Sequence, residues 1–456
     1  MPRFQVSSET SPLITSGPSE QHNASNLSKP QHAIPHPSAV YDRPLPSQRA
    51  PVFRIAAAMY SFVILGLFTS TLGVMLPHLE QYYHLTDIYV SLIFLVGPVG
   101  YILAAQSTDL VHRKYGQRGV ASVGPFFHLL AAASISLHPP FPVVLVGCAI
   151  ATFGTGLLDA SWCAWVGGMG ERANTVSGML HGSFSVGAAV GPFLAETLMA
   201  AGNRHWYCWY YVLTGASLVE VVILPLAFRL EDAATYRRAK HDQMEGHVNA
   251  AHVKTIFKHR ATWLSSAYFL AYVGTESAIS GWIVSFLRRD RHVSPKIASL
   301  SLSGFWAGMA TGRLTLGVVT DNIGVSRATT AYLLVAISLE ILFAITSSST
   351  VSAVLATMLG FFLGPLFPSG IVLLSHLLPK ELHVAVVSFV ASVGQVGGAI
   401  LPFAIGAMVQ GLGIHVFKYV VVVQLVIALG IWWAFSKVKR DGLLRETEVG
   451  SQESDD

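Results

Sequence analysis

The sequence predicts an all-α membrane protein: twelve transmembrane helices in two pseudo-symmetric six-helix halves. Three observations predict it. Only 12% of the 456 residues are charged, 52% are hydrophobic and the mean hydropathy is +0.52. A soluble chain carries about 25% charged residues to keep its surface in water, so at half that share lipid must act as a second solvent. Twelve apolar runs are each long enough, at about 20 residues, to cross about 30 Å of hydrocarbon. The longest polar interruption lies between the sixth and seventh, which divides the chain six and six.

In chain order, residues 1–50 are rich in Ser, Pro, His and Gln without a periodic apolar face, and read as a disordered cytosolic tail. They hold no apolar stretch of signal-peptide type. Asn23 and Asn26 head glycosylation sequons that a cytosolic tail would keep from the modifying enzyme. Glu9 followed by Leu13 and Ile14 has the form of an acidic dileucine sorting signal. The plasma membrane is the expected address, and that signal makes a vacuolar or endosomal membrane the alternative.

The N-terminal half, 51–230, holds runs at 53–76, 87–107, 119–137, 143–166, 175–201 and 207–228. A cytosolic central loop spans 231–260. The C-terminal half, 261–437, holds runs at 262–287, 296–318, 324–346, 351–374, 383–410 and 415–436, and 438–456 form a cytosolic tail. The eighth run has the weakest ends. Gly and Pro interrupt several runs, which membrane helices tolerate. Gly360, Gly364, Pro365 and Pro368 should kink or break run 10.

Lys and Arg set the orientation. Arg113, Lys114 and Arg118 follow run 2, and Arg229, Arg237, Arg238, Lys240, Lys254, Lys258 and Arg260 lie around the central loop. Lys437, Lys439 and Arg440 follow run 12, so both termini are expected in the cytosol. The loops after runs 1, 3 and 9 have neither residue. Arg288, Arg289, Arg291 and Lys296 after run 7 run against the rule and read as a solvated outer loop, the alternative being an anion-binding entrance.

The halves repeat. Ser185-Val-Gly187-Ala-Ala-Val-Gly191-Pro192-Phe193 and Ser392-Val-Gly394-Gln395-Val-Gly-Gly398-Ala-Ile-Leu-Pro402-Phe403 superpose at an offset of 207, and Asp109 and Asp321 at 212. Parallel repeats bring a solute site to the interface between halves near the bilayer midplane.

The segment Gly308-Met-Ala-Thr-Gly312-Arg313-Leu-Thr-Leu-Gly317-Val-Val-Thr-Asp321-Asn-Ile-Gly324 resembles the loop signature of the major facilitator superfamily in its second-half copy. Glycines four apart let helices touch backbone to backbone, an Asp sits well at a neighbouring helix N-terminus, and Arg313 can close a charge pair that breaks when the halves rock. The first-half copy, Asp109-Leu-Val-His-Arg113-Lys-Tyr-Gly116, spreads Asp and Gly by one further helical turn. The Gly156–Trp165 and Tyr272–Trp282 stretches and the run-11 glycines resemble fungal proteins of the fucose:proton symporter-like branch, a group that includes the yeast bypass-of-stop-codon-type transporters. Members often carry an Asn-Asp pair in helix 1, where this chain reads Phe68-Thr69-Ser70-Thr71-Leu72-Gly73.

That resemblance implies a cavity lined by runs 1, 4, 7 and 10, and so places Asp159 and Glu276 there. Intramembrane carboxylates are costly and functional by default, which makes both candidates for proton coupling. His181 is a third, able to relay to Asp159, with a packing role as its alternative. Trp162, Trp165, Tyr272, Trp282 and Gln395 are candidate cavity contacts for a solute, or interfacial anchors. His128, Glu196, Glu220 and Glu340 are expected near helix ends or against other helices, without a role.

No nucleotide-binding, zinc-protease or hydrolase motif occurs, so an enzyme is not expected, and neither is a cofactor or metal. Cys148, Cys163 and Cys208 form no disulfide framework and read as small packing residues. The net charge of +4 is too small to predict a nucleic-acid partner, and no obligatory protein partner is expected. The expected partners are lipid, protons and a small solute. The expected function is secondary active transport by alternating access, proton-coupled, tilted toward export of a metabolite by the Gly187–Pro192 half-match to an antiporter motif. Proton-coupled uptake of a sugar or polyol is the alternative, and a non-transporting solute receptor is another.

Overall fold

The computed structural model describes residues 50–167, 169, 173–201, 205–235, 256–378 and 382–438. The tail with its dileucine-like stretch and sequons, Arg237, Arg238, Lys240, Lys254, Lys439 and Arg440 lie outside the described residues. Among the described residues every regular element is helical. We number them α1 (Ala50–Tyr83), α2 (Asp87–Ser136), α3 (Phe141–Gly167), α4 (Ala173–Ala200), α5 (Cys208–Ala227), α6 (Arg260–Arg289), α7 (Pro295–Ile323), α8 (Val325–Ile345), α9 (Ser349–Leu363), α10 (Leu366–Leu377), α11 (His383–Leu412) and α12 (Val416–Ser436). Lipid offers the backbone no partners, so each spanning segment must satisfy its own amides, and the helix does so.

All twelve apolar runs are helical, although the helices divide them differently. α2 is 50 residues long and carries runs 2 and 3, separated at Gly116, whose φ of 72° and ψ of −166° leave the helix. Run 10 is broken where expected: α9 ends at Leu363 and α10 starts at Leu366. Among the described residues ten helices are long and apolar enough to cross a membrane, counting α9 and α10 together. α7 is not among them, because its serines, Arg313 and Asp321 dilute the run that had the weakest ends.

Glycine contacts build the two halves in parallel. A Cβ on Gly187 would stand 2.1 Å from the Val63 carbonyl oxygen, so α4 lies backbone to backbone on α1. A Cβ on Gly397 would stand 2.1 Å from the Leu270 oxygen, and α11 lies on α6 in the same way. The sequence repeat pairs Gly187 with Gly394, but a Cβ on Gly394 would come no nearer to backbone than 3.6 Å, at the Phe269 oxygen, with the Val273 side chain at 3.2 Å. The contact has moved to Gly397, nearly one turn along.

The halves meet through α1 with α6, α2 with α11 and α4 with α7. These contacts gather at the end of the bundle that carries Arg289. Gly73 abuts the Ser280 carbonyl there, Gly281 the Phe94 ring and Gly406 the Ser91 side chain. One apolar core runs across both halves at this end, through Val74, Leu79, Ile93, Trp282, Ile283 and Leu302. At the opposite end, which carries Glu231, the N-terminal half keeps its own core around Phe62, Leu157, Trp162 and Phe228. The bundle is joined at the Arg289 end, and its cores are separate at the Glu231 end.

Candidate functional site

Polar and charged side chains from both halves gather midway along α3, α4, α6 and α7, a cluster we call the chamber. α3 supplies Asp159, whose Oδ2 accepts the Tyr101 hydroxyl of α2 at 2.8 Å. One turn on, the Cys163 thiol is 3.6 Å from Asp159 Oδ1 and 4.0 Å from His181 Nε2 on α4. The Phe62 ring of α1 stands edge-on to His181, 5.7 Å between centroids. His181 interacts electrostatically with both Asp159 and Arg313, and Arg313 comes from the other half. Arg313 Nη2 lies 3.8 Å from Glu276 Oε2. Asp159 and Glu276 are therefore linked across the interface through His181 and Arg313. Both acids, Arg313 and His181 keep part of their surface accessible.

Proline chemistry explains where Arg313 sits. Pro368 has no N–H, so the Gly364 carbonyl lacks its helical donor four residues on. Arg313 Nε fills that vacancy at 3.3 Å. Tyr272 and Tyr268 hydroxyls donate to the neighbouring Leu363 and Leu366 carbonyls at 3.1 and 3.0 Å. The α9–α10 break is thus tied to the chamber through one guanidinium.

The loop-signature residues separate into three groups. Gly308 and Gly312 pack α7 onto α9: a Cβ on either would stand 2.0 Å from the Thr357 oxygen or 1.9 Å from the Phe361 oxygen. Arg313 belongs to the chamber rather than to a loop, since α7 continues to Ile323. Gly317 has open space around it, Asp321 is exposed, and Gly324 takes φ of 92° in the turn between α7 and α8. In the first-half copy Asp109 and Arg113 form an exposed pair at 2.7 Å on α2, one turn before Gly116.

Several expected solute contacts lie in packing instead. Trp162 is fully buried and stacks on Phe228 at 4.4 Å. Trp282 is fully buried, and its indole N–H donates to the Pro402 carbonyl at 2.8 Å. Tyr272 is also buried. Trp162 and Trp282 fill helix crossings in this conformation, whereas Tyr272 also interacts with Glu276 and Arg313 of the chamber. Trp165 is half-buried, edge-on to Phe228, and Gln395 is exposed on α11.

The cluster after run 7 is not a solvated loop. Both guanidinium nitrogens of Arg289 bond Asp87 of the other half, the second at 3.2 Å, and Glu80 is 3.6 Å away. Arg291 donates to the Ser352 hydroxyl and the Phe343 carbonyl, with its guanidinium 4.3 Å from the Phe343 ring. Below Arg289, Glu196 meets His78 at 3.4 Å and Ser299 of the other half at 3.5 Å. The Phe193 amide donates to Ser303 Oγ at 3.1 Å, and Phe184 stands edge-on to Trp306. These layers close the Arg289 end above the chamber.

Glu220 and His128, expected near helix ends or against other helices, are wholly buried against other helices of the N-terminal half and paired at 2.9 Å. Ser61 donates to the other Glu220 oxygen at 2.6 Å, and Thr155 bonds the second His128 nitrogen at 3.1 Å. The network links α1, α2, α3 and α5. A histidine and a carboxylate within apolar runs of the same half were the signal for it. Among the described residues no three His, Cys, Asp or Glu side chains are grouped to hold a metal ion.

The model of the Major Facilitator Superfamily matches residues 58–286 and again 264–453, once for each half. The chain is 28% identical over 401 residues to "Bypass of stop codon protein 6" of Saccharomyces cerevisiae, covering 82% of this chain and 80% of that protein. It is 22% identical to "Glucose/mannose transporter GlcP" of Bacillus subtilis, over 76% and 85% of the two chains. Against a "Glucose/galactose transporter" of Brucella abortus it is 24% identical, over 81% and 90%. Among solved structures, a bacterial homolog to the human lysosomal transporter Spinster, inward-facing and occupied, superposes with a TM-score of 0.66 at 13% identity, over 85% of this chain and 97% of that one. A D-xylose-proton symporter superposes with a TM-score of 0.66 at 14% identity, over 84% and 98%.

Proposed function

The chain belongs to the major facilitator superfamily, and from that premise we propose that it is a proton-coupled transporter of a small polyhydroxylated solute of the sugar class. The observation that carries the reading is the shared chamber, with one carboxylate from each half and Arg313 and His181 between them. The glucose transport named in two of the relatives favours a sugar.

By the distribution of Lys and Arg, the Glu231 end is the cytosolic one. The conformation described here is then sealed outside and open inside, with both termini in the cytosol. In the opposite state the Asp87–Arg289 and Glu196–Ser299 contacts part and the chamber meets the outer solution.

Coupling follows from charge. Ionised Glu276 holds Arg313 beside α6. When Glu276 takes a proton that attraction ends, and the guanidinium turns to Asp159 and His181 across the interface. A proton on Glu276 therefore changes which half Arg313 is bound to. Hydroxyls of a sugar suit the same groups, since carboxylates accept from them and guanidinium donates to them. Export of a metabolite is the second reading, supported by the Gly187–Pro192 half-match.

The test is sugar transport by the full chain in proteoliposomes under an imposed pH gradient, with a binding measurement beside it. Accumulation down the proton gradient supports uptake by symport. Accumulation against it means export by exchange. Binding without flux means a receptor and rejects transport.

A further inference from the structure

The Glu231 end carries a second cleft, distinct from the chamber. It measures about 660 Å³ and is lined on one side by Lys114, Tyr115, Arg118 and Ser122 of α2, and on the other by Asp232 and Ala234 beyond α5. Gly116 builds it. A Cβ there would stand 2.2 Å from the Asp232 carbonyl carbon, and the φ of 72° disfavours any other residue. The Arg118 amide donates to the Glu231 carbonyl at 2.9 Å, and Arg54 pairs with the Glu231 carboxylate at 2.5 Å. The segment after α5 is thereby fixed against the break in α2.

The cleft carries two cations against one acid and so keeps a net positive charge. Among the described residues neither Lys114 nor Arg118 has an ion-pair partner, while the adjacent Arg113 is held by Asp109. Lys114 lies over the Tyr115 ring, 5.1 Å from its centre. The acid in the lining, Asp232, is engaged by the Thr235 amide and hydroxyl at 2.8 and 2.9 Å. From Ser122 an exposed apolar stripe rises at four-residue spacing through Phe126 and Leu130, so it shares one helix face with the cleft. A break between two membrane-crossing segments of α2 lies at the membrane surface, where headgroups meet acyl chains.

We infer that this cleft binds an anionic phospholipid, with Lys114 and Arg118 taking the headgroup phosphate and Phe126 and Leu130 flanking an acyl chain. A neutral lipid lacks the net charge to satisfy two free cations, and a free phosphate leaves the stripe uncovered. The bound lipid bridges α2 to the segment after α5 and so stabilises the conformation described here.

The test is thermal unfolding of the full-length protein in neutral detergent, titrated with short-chain phosphatidylserine, short-chain phosphatidylcholine or inorganic phosphate. Phosphatidylserine should raise the midpoint saturably, and high salt should weaken the effect. Lys114→Gln and Arg118→Gln should each raise the half-saturating concentration about fivefold, the effect of one cation near an anionic surface. Lys418→Gln, at the opposite end of the bundle, should leave it unchanged. Equal stabilisation by phosphatidylcholine, or an unaltered titration in both cleft variants, would overturn the inference. Equal stabilisation by inorganic phosphate would also overturn it, assigning the cleft to a free anion. If either variant fails to fold, the wild-type comparison of the three ligands still decides.

Discussion

Arg289 holds Asp87 with both terminal nitrogens, although the two residues are 202 positions apart and belong to opposite halves of the chain. Among the described residues neither forms an ion pair within its own half, so the pair ties the two halves together at that end. Its side chains are 34% and 11% exposed, which places it between surface pairs that contribute little and buried ones that are costly to break.

Arg289→Gln or Asp87→Asn should therefore destabilise the closed Arg289 end by about 1–2 kcal/mol, roughly a tenfold change in population. Cys163 in the chamber is a natural reporter once Cys148 and Cys208 are replaced. A membrane-impermeant maleimide added on the Arg289 side should label it faster in either variant. The charge swap of both residues should restore slow labelling. Equal rates in wild type and single variants would mean that other layers alone seal this end.

Gly312→Ala places a methyl 1.9 Å from the Phe361 carbonyl oxygen and must push α7 from α9. The expected loss is about 1–3 kcal/mol, as for other overpacked contacts. Gly317→Ala meets nothing within 4 Å and should be neutral or gain up to about 1 kcal/mol from helix propensity. Thermal midpoints in detergent compare the two. Gly364→Ala, 2.4 Å from the Met309 oxygen, should fold less stably and lose flux, because it disturbs the break that Arg313 caps.

The twelve spans, the duplicated halves and the break in run 10 were legible because each has a local signal: apolar length, a repeated glycine pattern, and glycine with proline. The two acids were legible only as intramembrane carboxylates, a costly placement that needs a reason. The partners of those acids were not legible. Tyr101 and Cys163 look like ordinary membrane residues, and only the packing of α2, α3 and α4 brings them to Asp159. Arg313 read as a loop residue because its motif runs on to Gly324, whereas α7 extends through that motif to Ile323. Trp162 and Trp282 carry the same side chain a solute site would use, and only burial separates packing from contact. The Asp87–Arg289 pair depends on how the halves dock, which a local pattern does not encode.

His128 and Glu220 offer a test of the buried pair. Replacing either alone with Leu strands its partner and should cost about 3–5 kcal/mol. The double replacement removes both buried polar groups and should recover most of that loss. A double-variant midpoint lower than either single would mean that the pair contributes net stability to the N-terminal half.

Arg313→Lys keeps the charge but loses the fork that reaches Glu276 and the Gly364 carbonyl together. Maximal flux should fall about tenfold or more while the folded fraction is unchanged. A variant with wild-type flux would remove Arg313 from the coupling scheme.

In the proposed cycle the proton moves on the two carboxylates of the shared chamber. The most direct measurement compares wild type, Glu276→Gln and Asp159→Asn in proteoliposomes, reading solute exchange at equal pH beside accumulation driven by a pH gradient. At least one neutral variant should still exchange solute but no longer accumulate it and move no protons with it. Accumulation and proton movement at wild-type levels in both variants would contradict the account and leave Asp159 and Glu276 as structural groups.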